Sequence, residues 1–329
     1  MDEFSGEKSQ PIGIEQKEKE PKISYHFFYS PHRTAEDFKK IKIVFDECDI
    51  YVPEASGWSP EEKFFTESIS EGNPSPENLA IFNKELVRQS AWGEQLSAIY
   101  KSKKPILFAD ISNTDELIRK REEVDELGAD FVYLFFRGEL DAALKKLRAY
   151  AIAFSLRQSA REEKIEENLK NKIKEFLENH PEYRQKDKLK VLISLGSGHT
   201  PLFQDLKREG LNVSREFNET PQVFSSLAEA DRRRVFKKEI SDELLAKVII
   251  ENILYPYLGS LTDNTNKQDR VLRKISSQLN LETIRRISET MAKESFFVDR
   301  RLLVEELKKM NIKIPKSEEE MDEMLGIKK

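Results

Sequence analysis

The sequence predicts an α/β protein: a mostly parallel sheet flanked by helices, with an α-helical C-terminal extension. Three observations carry this reading. Short runs rich in β-branched or aromatic residues, each bounded by turn signals, recur through the first two thirds of the chain. Stretches of helical periodicity separate them, and strand–helix–strand alternation implies parallel pairing with both sheet faces covered. After Phe217 amphipathic helical patterns follow one another with no convincing strand.

Taken in order, residues 1–22 carry Glu, Lys, Gln, Ser and Pro and almost nothing to bury, so a disordered tail is expected. Ile23 to Tyr29 reads as the first strand. Ala35 to Cys48 places Phe38, Ile41 and Phe45 on one helix face, and Thr34 with Asp37 three residues on forms a capping-box start. Asp49 to Pro53 is the second strand, Asn78 to Lys101 a helix, and Pro105 to Asp110 the third strand. Asp115 to Leu127 is helical, Asp130 to Phe136 is the fourth strand, and Glu139 to Asn179 is a helix long enough that a break is expected. Leu189 to Leu195 is the fifth strand and Leu211 to Phe217 a less regular sixth. The expected organisation is a tail (1–22), an α/β catalytic-type domain (23–218), a helical region (219–315) and a polar tail (316–329) ready to fray. No internal repeat at solenoid periods is present.

Composition narrows the function classes. The chain has 55 basic and 60 acidic residues among 329, a net charge of -5. Proteins built mainly to hold nucleic acid or an anionic membrane need a basic excess, which is missing here. The single cysteine, Cys48, excludes an internal disulfide framework and a Cys-based zinc site, and fits a reducing compartment. The first residues have no apolar h-region, and no stretch approaches the roughly 18 apolar residues of a membrane helix. The expectation is a soluble cytoplasmic protein.

Two strand-to-helix turns share one design. Ile23 to Tyr29 is followed by Ser30-Pro31-His32, and Lys190 to Leu195 by Gly196-Ser197-Gly198-His199-Thr200-Pro201. The chain has only four histidines, and two of them stand where open α/β sheets bind ligands. In the second turn glycine permits close backbone approach and positive φ, Thr200 is a candidate N-cap, and Pro201 suits the first helical position. A phosphate-binding loop is not supported: the third glycine and the Lys-Ser/Thr are missing, so no nucleotide cofactor is expected. The second strand ends at Val52-Pro53-Glu54 and the third at Ala109-Asp110. Two histidines (His32, His199) and two carboxylates (Glu54, Asp110) at four strand ends form a metal-ligand or acid–base constellation. Taken singly, each residue is better read as a helix cap or a solvated loop residue; it is the set that points to chemistry. His26 reads as a packed sheet-face histidine, His180 as a helix-ending loop residue, and Cys48 as a small buried hydrophobe. No Gly-x-Ser-x-Gly elbow is present, which argues against a serine nucleophile of that class.

This pattern resembles the TraB/Tiki superfamily, which also takes in erythromycin-esterase-like and ChaN-like proteins. The likeness rests on a small-x-x-His turn after the first strand, a Glu after the next, and a later Gly-x-x-His. Arg161-Glu162 is similar to an Arg-acid pair of the esterase-like branch, and Asp110 to an Asp after that group's third strand. The likeness covers about residues 23 to 217, with Tyr29 standing where the first motif has Gly. It implies a hydrolase of peptide or ester bonds, acting on a peptide or small-molecule substrate. In a metal-dependent version His32, Glu54 and His199 hold Mn, Co or Zn. In a metal-free version a neutral His32 or His199 takes a proton from water, Glu54 orients the imidazole, and Arg161 binds a substrate carboxylate or the developing oxyanion.

Other classes stay open. A non-catalytic peptide-binding or regulatory protein fits the same fold. Leu272 to Glu282 vaguely resembles the first half of a helix-turn-helix, with Arg285, Arg286, Arg300, Arg301, Lys308 and Lys309 nearby, although acidic residues interleave throughout. Packing of these helices on the α/β domain or on a second copy of the chain is the alternative to DNA contact.

Overall fold

The computed structural model describes residues 20–30, 40–88, 91–218, 223–294 and 299–327. β1 (Lys22–Ser30) and β3 (Lys188–Gly196) pair in parallel from Lys22↔Lys188 to Ser30↔Gly196. β2 (Ile50–Val52) joins the far side of β3, and β4 (Val213–Phe217) the far side of β1. The sheet is therefore wholly parallel in the order β2-β3-β1-β4. The β1-to-β2 connection passes over β3, and the β3-to-β4 connection passes over β1. Chains leaving the two adjacent central strands thus part in opposite directions, the arrangement at which open α/β sheets place ligands.

Each strand face has its own cover. On one side Tyr25, Phe27, Tyr29 and Ile193 pack against α7 (Leu140–Asn179) and α9 (Thr200–Arg208). On the other, Phe28, Tyr51 and Leu192 pack against α1 (Ile41–Asp46), α2 (Pro60–Glu71), α3 (Pro76–Val87) and α4 (Ala91–Ile99). The starts of α2 and α3 are written in the sequence. Ser59 and Ser75 cap them by accepting from the third residue on, and a proline takes each first helical position.

The helical extension is a layer of its own. It comprises α10 (Ser226–Val235), α11 (Asp242–Gly259), α12 (Thr265–Ser276), α13 (Leu281–Glu294), α14 (Arg300–Lys309) and α15 (Glu318–Leu325). Its core also takes in α6 (Phe131–Phe136) and the first turns of α7, through Phe135, Phe136, Leu140 and Leu147. α5 (Glu116–Leu127) packs along α7, and the short α8 (Pro181–Arg184) follows it.

Several expectations are corrected. Asp130 to Phe136 is a helix rather than a strand: a short apolar run carries no decisive period, and burial against helices gives it no strand to pair with. Pro105 to Asp110 is extended but forms only one bridge, Tyr51↔Ile106, because its neighbour β2 is three residues long. Asn78 to Lys101 is divided between α3 and α4. α7 runs 40 residues without a break. It contains neither Gly nor Pro, and it serves two cores in turn: Leu140, Ala143, Leu144 and Leu147 in the helical layer, then Ile165, Leu169, Ile173 and Phe176 under the sheet. The polar tail folds as α15, capped by Ser317 and anchored by buried Met321 and by Lys267, which reaches Glu318 and Asp322 at 2.7 and 2.8 Å. The capping box at Thr34–Asp37, with Phe38, and most of the N-terminal tail lie outside the described residues. No helix among the described residues is long and apolar enough to cross a membrane.

Because one rigid helix enters both cores, they should unfold together. Leu147→Ala and Ile165→Ala should each cost about 2–5 kcal/mol and should each move one shared urea transition. Tryptophan fluorescence (Trp58 and Trp92 lie on the sheet side) and far-UV circular dichroism should follow the same curve. Two separated transitions would show that α7 does not couple the layers.

Candidate active site

The described strand-end residues meet where β2 and β3 stop. Glu54 follows β2 by two residues. His199 closes the 3₁₀ turn Ser197–His199 between β3 and α9. Since β3 lies between β1 and β2, Glu54 is a neighbour of the His199 strand, and its Oε1 is 3.3 Å from His199 Nε2. Glu54 Oε2 accepts the Gly196 backbone N–H at 2.5 Å. A β-carbon at 196 would stand 3.2 Å from that oxygen, so glycine here makes room for a side chain of the chain's own. The turn needs no positive φ: Gly196 is extended, with φ -62, and Gly198 is not among the positive-φ glycines. His199, not Thr200, is the N-cap residue of α9, and Pro201 falls one position later than expected.

α7 closes the site from the side. Arg161 donates from Nε and Nη2 to the two oxygens of Asp110, at 2.9 and 2.5 Å, and from Nη2 to Glu54 Oε1 at 3.0 Å. Asp110 is buried, and its oxygens also accept the Ile111 and Ala55 backbone N–H groups at 2.8 and 3.3 Å. One turn of α7 brings two further polar residues. Glu162 Oε1 is 3.3 Å from His199 Nδ1, and the Gln158 carboxamide is 3.0 Å from Nδ1 and donates to Glu162 at 3.3 Å. Tyr29 reaches in from β1, its phenol donating to the His199 carbonyl at 3.1 Å. The tyrosine in place of the first-motif glycine is thus a buried tie between β1 and the His199 turn.

The electrostatics follow from burial against paired charge. Burial alone would push the His199 imidazole down, and Arg161 acts the same way. Glu54, and hydrogen bonds to Glu162 and Glu54, outweigh both and raise it to about 9. His199 is therefore an imidazolium at neutral pH. Arg161 is also buried, yet the hydrogen bonds and charges of Asp110 and Glu54 hold its guanidinium charge firmly. Asp231 of α10 is brought in by the helical layer. Burial and the Glu162 charge raise its carboxyl to about 7, with His199 opposing, and its Oδ1 has no hydrogen bond.

Of the five residues expected from the sequence, Glu54, Asp110, Arg161 and His199 form one cluster, and His32 lies outside the described residues. Arg161 is buried and donates to Asp110 and Glu54. Gln158 and Asp231 were missed, and Glu162 was named only as the acid of the Arg161-Glu162 pair. Gln158, Arg161 and Glu162 stand at i, i+3 and i+4 on the buried side of α7, which is the signal that could have found Gln158. Of the ligand set expected for a divalent ion, Glu54 and His199 are described and already engaged by the protein. Glu54 Oε1 is shared by two protein cations, Oε2 holds a backbone N–H, and both His199 nitrogens face carboxylates. No group of three or more His, Cys, Asp or Glu side chains arranged to hold a metal occurs among the described residues. The basic residues of the C-terminal helices are in part paired: Arg285 with Asp141 at 2.6 Å and Arg301 with Asp299 at 2.9 Å, while α13 buries Ile284, Ile287 and Met291 in the helical core. Compared with known proteins, the chain matches no family model, no curated protein and no solved structure.

Two expected outcomes test the cluster. A histidine whose folded pKa lies above its unfolded value of 6.5 stabilises fully below about 6.5 and loses that contribution as pH rises through about 9. The unfolding free energy should therefore fall between these limits by on the order of 3 kcal/mol, and His199→Gln should flatten that slope. Arg161→Met, which strands Asp110 in the interior, should cost about 3–5 kcal/mol, and Asp110→Asn in the same chain should recover part of it. Both are read by urea denaturation across pH.

Proposed function

We propose that the chain is a hydrolase of ester or peptide bonds whose acid–base centre is the Glu54–His199 pair, working without a metal. The observation that carries this reading is the contrast within the cluster. Glu54 keeps a fifth of its side-chain surface exposed, while its partner His199 is almost wholly buried (20% against 3%). One carboxylate thus faces outward at the strand ends of a parallel sheet, and a buried imidazolium stands directly behind it.

In the proposed cycle a water adds to the substrate carbonyl carbon while Glu54 takes its proton. Glu54 then gives that proton to the departing oxygen or nitrogen as the carbonyl–heteroatom bond breaks, and the site is restored. The His199 imidazolium, 3.3 Å behind it, balances the charge of the carboxylate, and Arg161, Asp110 and Gln158 hold the pair in register. The strand-end motifs, in their likeness to the TraB/Tiki superfamily, support the same reaction class. The substrate is a small ester or a peptide, and the single buried thiol, Cys48, fits a reducing, cytoplasmic setting.

The test is a panel of chromogenic esters and short peptides turned over by the full chain with chelator present. Glu54→Gln and His199→Gln should each lower kcat/KM by about 100- to 10,000-fold. Because the imidazolium of His199 balances the charge of Glu54, activity should change as pH rises through about 9 and His199 loses its proton. Turnover that survives both substitutions in folded protein, or that appears only on adding metal, would overturn the reading.

A further inference from the structure

A second cluster lies on the sheet face turned away from α7. Between α1 and strands β1, β3 and β4 is a cavity of about 330 Å³, lined among others by His26, Ile43, Val44, Leu192, Ser214 and Glu216. The β1–β4 register sets His26 directly beside Ser214, and strand period puts Glu216 on the same face two residues on. Ser214 Oγ is 2.8 Å from His26 Nδ1. On the other side of the ring, Nε2 is buried and makes no hydrogen bond, with Glu216 Oε2 3.7 Å away. A hydroxyl, an imidazole and a carboxylate therefore stand in one line along a cavity wall.

We propose that this cavity is a second, nucleophilic site, in which Ser214 takes up an acyl group, His26 accepts its proton and Glu216 faces the imidazolium formed. The order is that of nucleophilic serine chemistry: a base in hydrogen-bond reach of the hydroxyl, with a carboxylate 3.7 Å from the ring's other nitrogen, near enough to face the imidazolium once it forms. Burial is the largest influence on His26 and lowers its pKa, with Lys190 acting the same way and Glu216 and Glu47 opposing. The ring is thus neutral at pH 7 and free to take a proton. Ile43 and Val44 of α1 face the sheet across the cavity, Leu192 lies beside His26 on the sheet wall, and Lys40, Glu47 and Lys190 stand among them; the apolar part accepts a small ester of a short aliphatic acid.

Ser214 Oγ bonds to the ester carbonyl carbon while its proton passes to His26 Nδ1. The bond from that carbon to the alcohol oxygen breaks, and the alcohol leaves with the proton from the imidazolium. The acyl group remains as a Ser214 ester until water removes it by the same route.

The experiment treats the full chain at neutral pH with p-nitrophenyl acetate, reads nitrophenolate release, and maps the acetyl group by peptide mass spectrometry. Acetyl on Ser214 is expected, absent in Ser214→Ala and reduced by about 100-fold or more in His26→Gln, with a smaller loss in Glu216→Gln. Ser214 is on an exposed edge strand, and circular dichroism checks that each variant keeps the fold. No acetyl on Ser214, acetyl only on Lys40 or Lys190, or equal labelling of Ser214 in folded His26→Gln would overturn the proposal.

Discussion

Arg161 and Asp110 meet as a buried, two-pronged ion pair that also touches Glu54, and the positions of the other polar groups at the strand ends follow from it. An ionised carboxylate inside a protein is tolerable only with its lone pairs occupied. Asp110 meets that condition with the guanidinium on one side and two backbone N–H groups on the other. The pair seats the middle of α7 on the sheet edge. Its spare guanidinium contact then fixes Glu54, and Glu54 fixes both the Gly196 backbone and the His199 ring. The Trp58 indole donates to the Asp110 carbonyl at 2.8 Å and ties the loop after β2 to the same point.

The cluster carries more carboxyl groups than cations. Glu54, Asp110, Glu162 and Asp231 face Arg161 and His199. The surplus negative charge is relieved in two ways, by keeping His199 protonated and by drawing Asp231 toward its neutral form. The helical layer is thus electrostatically coupled to the sheet, since Asp231 comes from α10. The second cluster has the opposite character: around His26, burial outweighs the nearby carboxylates and keeps the ring neutral. One sheet holds two histidines in opposite protonation states on account of how each is buried and paired.

Much of the fold was legible because the strands are short, branched and bracketed by turn residues, as Leu189 to Leu195 shows. α6 was not, because a six-residue aromatic run has the same composition whether it pairs with a strand or packs among helices. The break expected in α7 followed from its length, whereas the absence of Gly and Pro was the stronger signal. For the site, Glu54, Asp110 and His199 could be picked out because strand ends in a parallel sheet gather at one edge. Arg161 could not be separated from a run of exposed helix charges without the resemblance, and Asp231 lay beyond reach because its position depends on how a separate helical layer docks. Ser214 and Glu216 alternate along an edge strand, a pattern that in sequence is indistinguishable from ordinary solvent-facing residues.

The unbroken course of α7 has a consequence for how this chain can vary. Each residue of an α-helix advances the rotation by about 100°. One residue inserted or deleted between Ala151 and Ile165 would therefore turn one half of the helix against the other, moving Arg161 away from Asp110 or taking Leu147 out of the helical core. Exposed side chains in that stretch, such as Leu156, can be exchanged one for another, but the number of residues between the two cores is fixed by geometry. Length is therefore held here as tightly as the identity of Arg161.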